Sequence, residues 1–398
     1  MSAEASDTGF LPLEAFAEVT GGVALGGDTP GGAVELPYLR VANVQDGYIT
    51  TDDIKTVRVP AGAVERFRLT RGDVLLTEGG DLDKLGRGAV WDGRIDPCLH
   101  QNHIFKVRCD RSKLLPEFLS LYMASSEGKS YFLRVAKQTT NLASISASQL
   151  KAMPVPARSL IEQRRIVEVV DAVSVQESSI QAAVDKMRQL RSGLLDQALC
   201  ETMDRWSLVA IGDLCHVGSG ATPSRAAGSR YFADAGTPWV KSLDLNGGSL
   251  SVTDEALTDV AMSELRMRLF PARSVLVAMY GGWEQIGRTA ILEVPAAVNQ
   301  AISVLEVHAD MDPYYLLLAL QHGRYRWRQF AASTRKDPNI TKSDVLAFGI
   351  PFPPREEQER IVDLADAPLR EIAADEEELT KMRNLKRGLL SGLLADAI

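Results

Sequence analysis

The chain has 398 residues, 45% of them hydrophobic and 24% charged, with a formal net charge of −8; these globular values exclude a disordered or collagen-like chain, and no run of 18 apolar residues exists that could span a membrane. Four scattered cysteines (Cys98, Cys109, Cys200, Cys215) without a C-x-x-C pair exclude a disulfide scaffold and a zinc ribbon. The first ten residues lack the basic start and apolar core of a signal peptide, so a cytoplasmic protein is expected.

The acidity is uneven. Residues 1–157 hold 17 Lys+Arg against 19 Asp+Glu, residues 158–203 hold 6 against 7, and residues 204–355 hold 15 against 15. Residues 356–398 hold 6 against 11 and so carry −5 of the total. The average therefore neither requires nor forbids nucleic acid as a partner; what matters is whether basic residues share a face.

In chain order, strand-like runs at 74–76 and 104–107 are followed by a helix at 116–123 that opens on Pro116. From residue 162 the pattern changes to a long helix. Apolar residues fall at Ile166, Val170, Val173, Ile180, Val184, Met187 and Leu194 in steps that are mostly threes, fours and sevens, interrupted by Glu177 and Arg191. Thirty-eight residues at 1.5 Å each make roughly 57 Å. Strand-like runs return at 275–278 and 301–307, then a helix at 313–321 with Asp312 as its N-cap and Pro313 as its first residue. A second long helix keeps its stripe at Ile361, Ala365, Ile372, Leu379, Met382 and Leu389. Pro368 falls inside it, which predicts either a kink or a restart with Pro368 in the first turn.

The two halves are one pattern written twice. Residues 162–199 align with 357–394 at an offset of 195 without a gap, and 15 of 38 positions are identical. Glu-Gln-x-Arg-Ile-Val opens both segments, from Glu162 and from Glu357; Lys-Met-Arg and Gly-Leu-Leu close both. Weaker matches run upstream: Pro154-Val-Pro156 faces Pro351-Phe-Pro353, and Leu85-Gly86-Arg87 faces Ile286-Gly287-Arg288. The organisation that follows is module 1–157, helix 158–203, module 204–355, helix 356–398. The fold class is α+β: two pseudo-repeated globular α/β modules separated by two long helices, which either serve as a plain spacer or set a functional distance and offer their outer faces to partners.

No catalytic constellation is present. Asp312-Pro313-Tyr314-Tyr315 resembles the Asp-Pro-Pro-Tyr loop of amino-methyltransferases, but a capped helix start accounts for it. His100-x-x-His103 points to opposite faces of a strand and has no third ligand nearby, so no metal site is expected. Residues 21–32 are glycine-rich without being a phosphate loop. A duplicated chain without chemistry suggests recognition. Two loops recur with suitable residues. The first, 78–87 and its partner 279–288, offers Lys84, Arg87, Trp283, Gln285 and Arg288, with Gly86 and Gly287 allowing close backbone approach. The second offers Lys137, Gln138 and Asn141 against Arg335, Lys336 and Asn339. Arg324-Tyr325-Arg326-Trp327-Arg328 adds a basic stretch interleaved with aromatics, of which Arg326 is a candidate DNA contact.

With the helix-opening and helix-closing motifs, the two Gly-Arg loops, and Tyr38-Leu39-Arg40-Val41-Ala42-Asn43 facing Trp239-Val240-Lys241-Ser242-Leu243-Asp244, the chain resembles the DNA-specificity subunits of type I restriction–modification systems over essentially its whole length. The resemblance implies two target-recognition domains, each reading one half of a split double-stranded DNA target. Arg40, Asn43 and Lys241 join the expected DNA contacts. It also implies that the long helices pack as an antiparallel coiled coil and dock two methyltransferase (modification) subunits, with an ATP-hydrolysing restriction subunit as a further partner; the chain itself takes no cofactor and no metal. Gln163, Ile166, Val173, Ile180, Met187 and Leu194, with Gln358, Ile361, Ile372, Met382 and Leu389, are the expected helix-pairing and docking residues. In place of the family's Asn-Gln the first copy carries Gln101-Asn102, whereas the second has Asn299-Gln300. The other readings are a specificity chain of another methyltransferase-based phage-defence system and a two-module protein-interaction scaffold; salt-sensitive, sequence-specific DNA binding separates the DNA readings from the scaffold.

Overall fold

The computed structural model describes residues 9–24, 32–80, 85–138, 143–331 and 338–395. The chain divides into two compact units, residues 1–182 with 376–398, and residues 183–375. Each unit therefore holds one module and parts of both long helices.

In the first unit, Phe10–Pro12 pairs with Pro154–Pro156 and closes the module on itself. Its main sheet is antiparallel, in the order Ala17–Gly21, Ile104–Cys109, Val74–Thr77, Gly88–Val90. A second sheet orders Lys55–Pro60, Ala33–Leu39 and Leu99–His100, the last pair parallel. Helices α1 (Pro116–Ala124) and α2 (Ser126–Val135) follow. Their apolar residues Phe118, Leu119, Tyr122 and Phe132 pack with Val74, Leu76 and Val107 in one core, which Ile166 of the long helix α3 (Leu160–Arg205) also enters.

The second unit repeats this plan. Leu208–Ala210 pairs with Gly349–Pro351. The main sheet orders Cys215–Ser219, Ile302–Val307, Val275–Ala278, Thr289–Leu292, with Ser249–Leu250 added at the edge. Thr237–Val240 pairs in parallel with Ala297–Val298, as Ala33–Leu39 does with Leu99–His100. Helix α4 (Pro313–His322) begins as its sequence predicts: the Asp312 carboxylate accepts from the amides of Tyr314 (2.8 Å) and Tyr315 (3.2 Å). The second long helix is α5 (Arg355–Ala395).

Helix α3 starts with a reciprocal cap, the Ser159 amide donating to Glu162 at 2.9 Å and the Glu162 amide to Ser159 Oγ at 3.3 Å. The two long helices form an antiparallel pair, visible within each unit. In the first, Glu177 of α3 takes Arg383 (3.1 Å) and Lys386 (3.2 Å) of α5. In the second, Leu195, Ala198 and Leu199 share a core with Ile361 and Ala365. Along the expected stripes Ile166, Ile180, Ile361 and Ile372 are buried, and Val173, Met187, Met382 and Leu389 half-buried. Leu194 lies off the pairing line: at 42% exposure it points outward, and the inward line passes through Leu195.

Pro368 neither ends nor restarts α5, which runs unbroken through it. A proline at this place strips the Leu364 carbonyl of its donor and loosens the turn. Arg191 Nε of α3 donates to the Ala365 carbonyl at 2.6 Å, in that same turn. An outside donor at the weakened point removes part of the reason to break the helix.

Among the described residues, no helix is long and apolar enough to cross a membrane.

Candidate nucleic-acid interface

The structure brings the two candidate loops together in each module, by the same bond. In module 1 the Ile145 amide donates to the Glu78 carbonyl at 2.9 Å; in module 2 the Ile340 amide donates to the Met279 carbonyl at 3.0 Å. The first module adds a small sheet, Lys137–Gln138 on Ala143–Ser144 on Gly79–Gly80. Lys137 and Asn339 are exposed there. Lys84, Asn141, Arg335 and Lys336 lie outside the described residues, as does the side chain of Gln138.

The Gly-Arg turn is shaped by an aromatic ring of its own module. Gly86 has φ +72° and Gly287 φ +69°. A Cβ at Gly86 would meet the Phe132 ring at 2.3 Å, and one at Gly287 the Trp327 ring at 2.3 Å. The close approach the sequence suggested is therefore to the module's core. The arginines that follow are half-buried, each fixed by a glutamine: Arg87 Nη1 donates to Gln45 Oε1 (2.9 Å), and Arg288 Nη1 to Gln285 Oε1 (3.0 Å).

In module 2 the loop is further stiffened from below. Arg324 donates to the carbonyls of Ile286 (3.0 Å) and Glu284 (2.7 Å). Above it Tyr280 is 40% exposed and Trp283 42%, with the Arg328 guanidinium 5.7 Å from the Trp283 ring. An exposed tryptophan on a braced loop is a contact surface prepared in advance.

Arg326 is a correction. It is buried, its Nη2 donates to the Gly349 carbonyl, and it lies 4.6 Å over the Phe348 ring. Trp327 stacks on Phe348 at 3.9 Å inside the core. The basic–aromatic stretch, read as one surface, is thus split: Arg326 and Trp327 hold the module, while Tyr325 is exposed and Arg328 sits at the loop.

Asn43 is also turned inward, at 3% exposure. It accepts from the Arg40 amide at 2.9 Å and donates to the carbonyls of Thr50 (3.2 Å) and Asp53 (3.3 Å). Asp244 accepts from the Lys241 amide at 2.7 Å in the equivalent turn. The motif is a capped turn that sets Arg40 and Lys241 beside acids, Asp53 at 2.6 Å and Glu255 at 2.9 Å. Arg225 and Lys241 together hold the Glu255 carboxyl down at about 2. Gln101 and Asn299, the positions where the copies differ, give the same backbone bond, to the Leu39 and Val240 carbonyls, each at 2.9 Å.

Gln163 and Gln358 do not face a partner. Each is buried and latches a long helix to its module. Gln163 Oε1 accepts from the Leu115 amide at 2.8 Å, and its Nε2 donates to the carbonyls of Lys113 and Arg158, both at 2.8 Å. Gln358 Oε1 accepts from the Asp312 amide at 2.7 Å, and its Nε2 donates to Asp310 (3.1 Å) and Pro353 (2.9 Å). This is the physical content of the repeated Glu-Gln-x-Arg-Ile-Val motif. The sequence reading missed a cluster of Asp196, Cys200 and His322; only the four-residue spacing of its first two members hinted at it.

Two modules of one plan, each with a pair of bonded loops and each latched to a long helix, make a duplicated two-module chain. Residues 203–381 match the family model described as the type I restriction modification DNA specificity domain. A chain of Methanocaldococcus jannaschii described as a type I restriction enzyme (MjaX) specificity subunit is 18% identical over 382 residues, covering 92% of this chain and 88% of its own. Among solved structures, the HsdS subunit from Thermoanaerobacter tengcongensis superposes with a TM-score of 0.56 at 18% identity, over 98% of this chain and 97% of its own. A chain from a study of complex assembly in a type I R-M system reaches 0.66 at 18% identity, over 97% of both. Residues 203–381 thus carry the type I restriction–modification DNA specificity domain, and the chain as a whole is similar to specificity subunits of such systems.

Proposed function

We propose that the chain reads a split double-stranded DNA target, one half-site per module, and takes no part in bond-making itself. The observation that carries this is the loop-to-loop bond made twice, Ile145 to Glu78 and Ile340 to Met279, which gives both modules the same two-loop surface. On it Arg87, Lys137, Trp283, Arg288 and Asn339 are the DNA-facing residues, with Arg40 and Lys241 at the neighbouring turn and Gln285 orienting Arg288. Arginine suits guanine or phosphate, and asparagine suits adenine edges. Half-sites with centres about 10 base pairs apart place both modules on one face of the duplex.

The long helices set the gap, and their outward residues dock two modification subunits that methylate adenine; an ATP-dependent restriction subunit is a further partner. The modules carry formal charges near zero by sequence, so long-range attraction to DNA is weak and the chain by itself binds loosely. Closure of the partner subunits around the DNA supplies the remainder. The experiment is a single-molecule map of modified adenines in the source genome, with and without this gene. One split motif that is methylated and vanishes on deletion supports the reading. Methylation unchanged by deletion, with the chain shown to be expressed, overturns it.

A further inference from the structure

Asp196 and Cys200 stand one turn apart on α3 and share a face. His322, the last residue of α4, lies between them. Its Nδ1 is 3.2 Å from Asp196 Oδ1, and its Nε2 is 3.7 Å from Cys200 Sγ. The carboxylate beside Nδ1 favours the tautomer with its hydrogen there, which leaves the Nε2 lone pair facing the thiol. The ring is only 16% exposed and lies between the carboxylate and the thiol. Cys200 itself is exposed.

The other three cysteines contrast with it. Cys98, Cys109 and Cys215 are buried, and burial pushes each thiol up to about 12. A structural zinc site fits the cluster less well. The three side chains offer three ligand atoms, where a closed structural site needs four.

We propose that Cys200 is the reactive thiol of this chain, with His322 as the base that takes its proton and Asp196 as the group that orients the ring, and that it is a site of covalent modification by small disulfides and soft electrophiles. The arrangement is that of an activated nucleophile with an oriented base. With a low-molecular-weight disulfide, the Cys200 sulfur attacks one sulfur of the reagent. A new S–S bond forms as the old one breaks, and the departing thiolate takes the proton held on His322. The reagent disulfide is itself the oxidant. With iodoacetamide an S–C bond forms, iodide leaves, and the proton stays on the imidazole or passes to water. An adduct displaces the His322 contact beside Ala198 and Leu199, which are buried in the core shared with α4.

The test is alkylation of the native full-length chain by iodoacetamide at pH 7, followed cysteine by cysteine by mass spectrometry. Cys200 reacts first, and the other three react only on unfolding. His322→Gln slows Cys200 several-fold, because the thiol then lacks the base that takes its proton. Asp196→Asn, at a side chain that is 70% exposed and so safe for folding, slows it by a smaller factor. Glutathione disulfide gives a mixed disulfide at Cys200 alone. An unchanged Cys200 rate in both variants overturns the proposal. So does one equivalent of zinc retained through dialysis with Cys200 protected from alkylation, which makes the cluster a metal site instead.

Discussion

The latch between helix and module gives a prediction that can be worked from the structure. Gln358 is fully buried and satisfies one amide and two carbonyls. In Gln358→Ala the Asp312 amide loses its acceptor inside the protein, a desolvation cost of about 1–3 kcal/mol. The two carbonyls lose a donor each but keep a second lone pair, and the truncated side chain leaves a small void. The sum is about 3–5 kcal/mol, a large part of the 5–15 kcal/mol typical of a whole domain. Asp312 is the cap of α4 and is paired with Arg355 at 2.8 Å, so the loss loosens the start of that helix as well. The assay is guanidinium unfolding followed by tryptophan fluorescence. Four of the five tryptophans, Trp206, Trp239, Trp283 and Trp327, belong to the second unit, so the signal reports chiefly on it. The midpoint should fall with the slope unchanged. A loss below 1 kcal/mol would show that water replaces the glutamine, and the latch argument would fail.

Three further outcomes follow from single residues. His100 is buried in module 1, with Nδ1 3.0 Å from the Phe67 carbonyl, and burial pushes its pKa from 6.5 to about 4. The unfolded chain takes this proton below about pH 6.5 and the native one only below about 4, so stability falls as pH drops through that window, by at most about 3 kcal/mol. His100→Val, which copies Val298 of module 2, should remove that part of the slope in unfolding curves measured at pH 7 and pH 4.5. Gly287→Ala forces a Cβ onto Trp327 at a positive φ and should cost about 2 kcal/mol, whereas Gly282→Ala, at φ +75° but with nothing within 4 Å, should cost less; equal losses in thermal unfolding would contradict the packing argument. Trp283→Ala should leave the melting temperature unchanged and weaken binding to a target duplex, with modification subunits present, by about 1–2 kcal/mol in fluorescence anisotropy; unaltered binding would remove the loop from the interface.

Much of the architecture is legible in the sequence because it is written twice. The helix stripes follow from the spacing at Ile166–Val184 and Ile361–Leu379, and the start of α4 follows from Asp312-Pro313. The direction in which a polar side chain points is not legible. Asn43, Gln163, Arg326 and Gln358 have the composition of contact residues, and each is folded inward because a turn, a helix start or a core carbonyl lacks a partner without it. Gly86 reads as room for a ligand until Phe132, in a helix more than forty residues on, is seen to occupy that room. The Asp196–Cys200–His322 cluster spans 122 residues between its cysteine and its histidine, a separation that no local pattern bridges. Pro368 predicts a kink or a restart from local chemistry, and Arg191 of the other long helix donates to the adjacent Ala365 carbonyl in that turn.

The most direct test of the account exchanges residues 204–355 for the second module of a type I specificity subunit and maps methylated adenines across a genome that carries the hybrid gene. The account predicts a new motif in which one half-site changes while the other half-site and the gap stay as they were. A motif changed in both halves, or left unchanged, would contradict it.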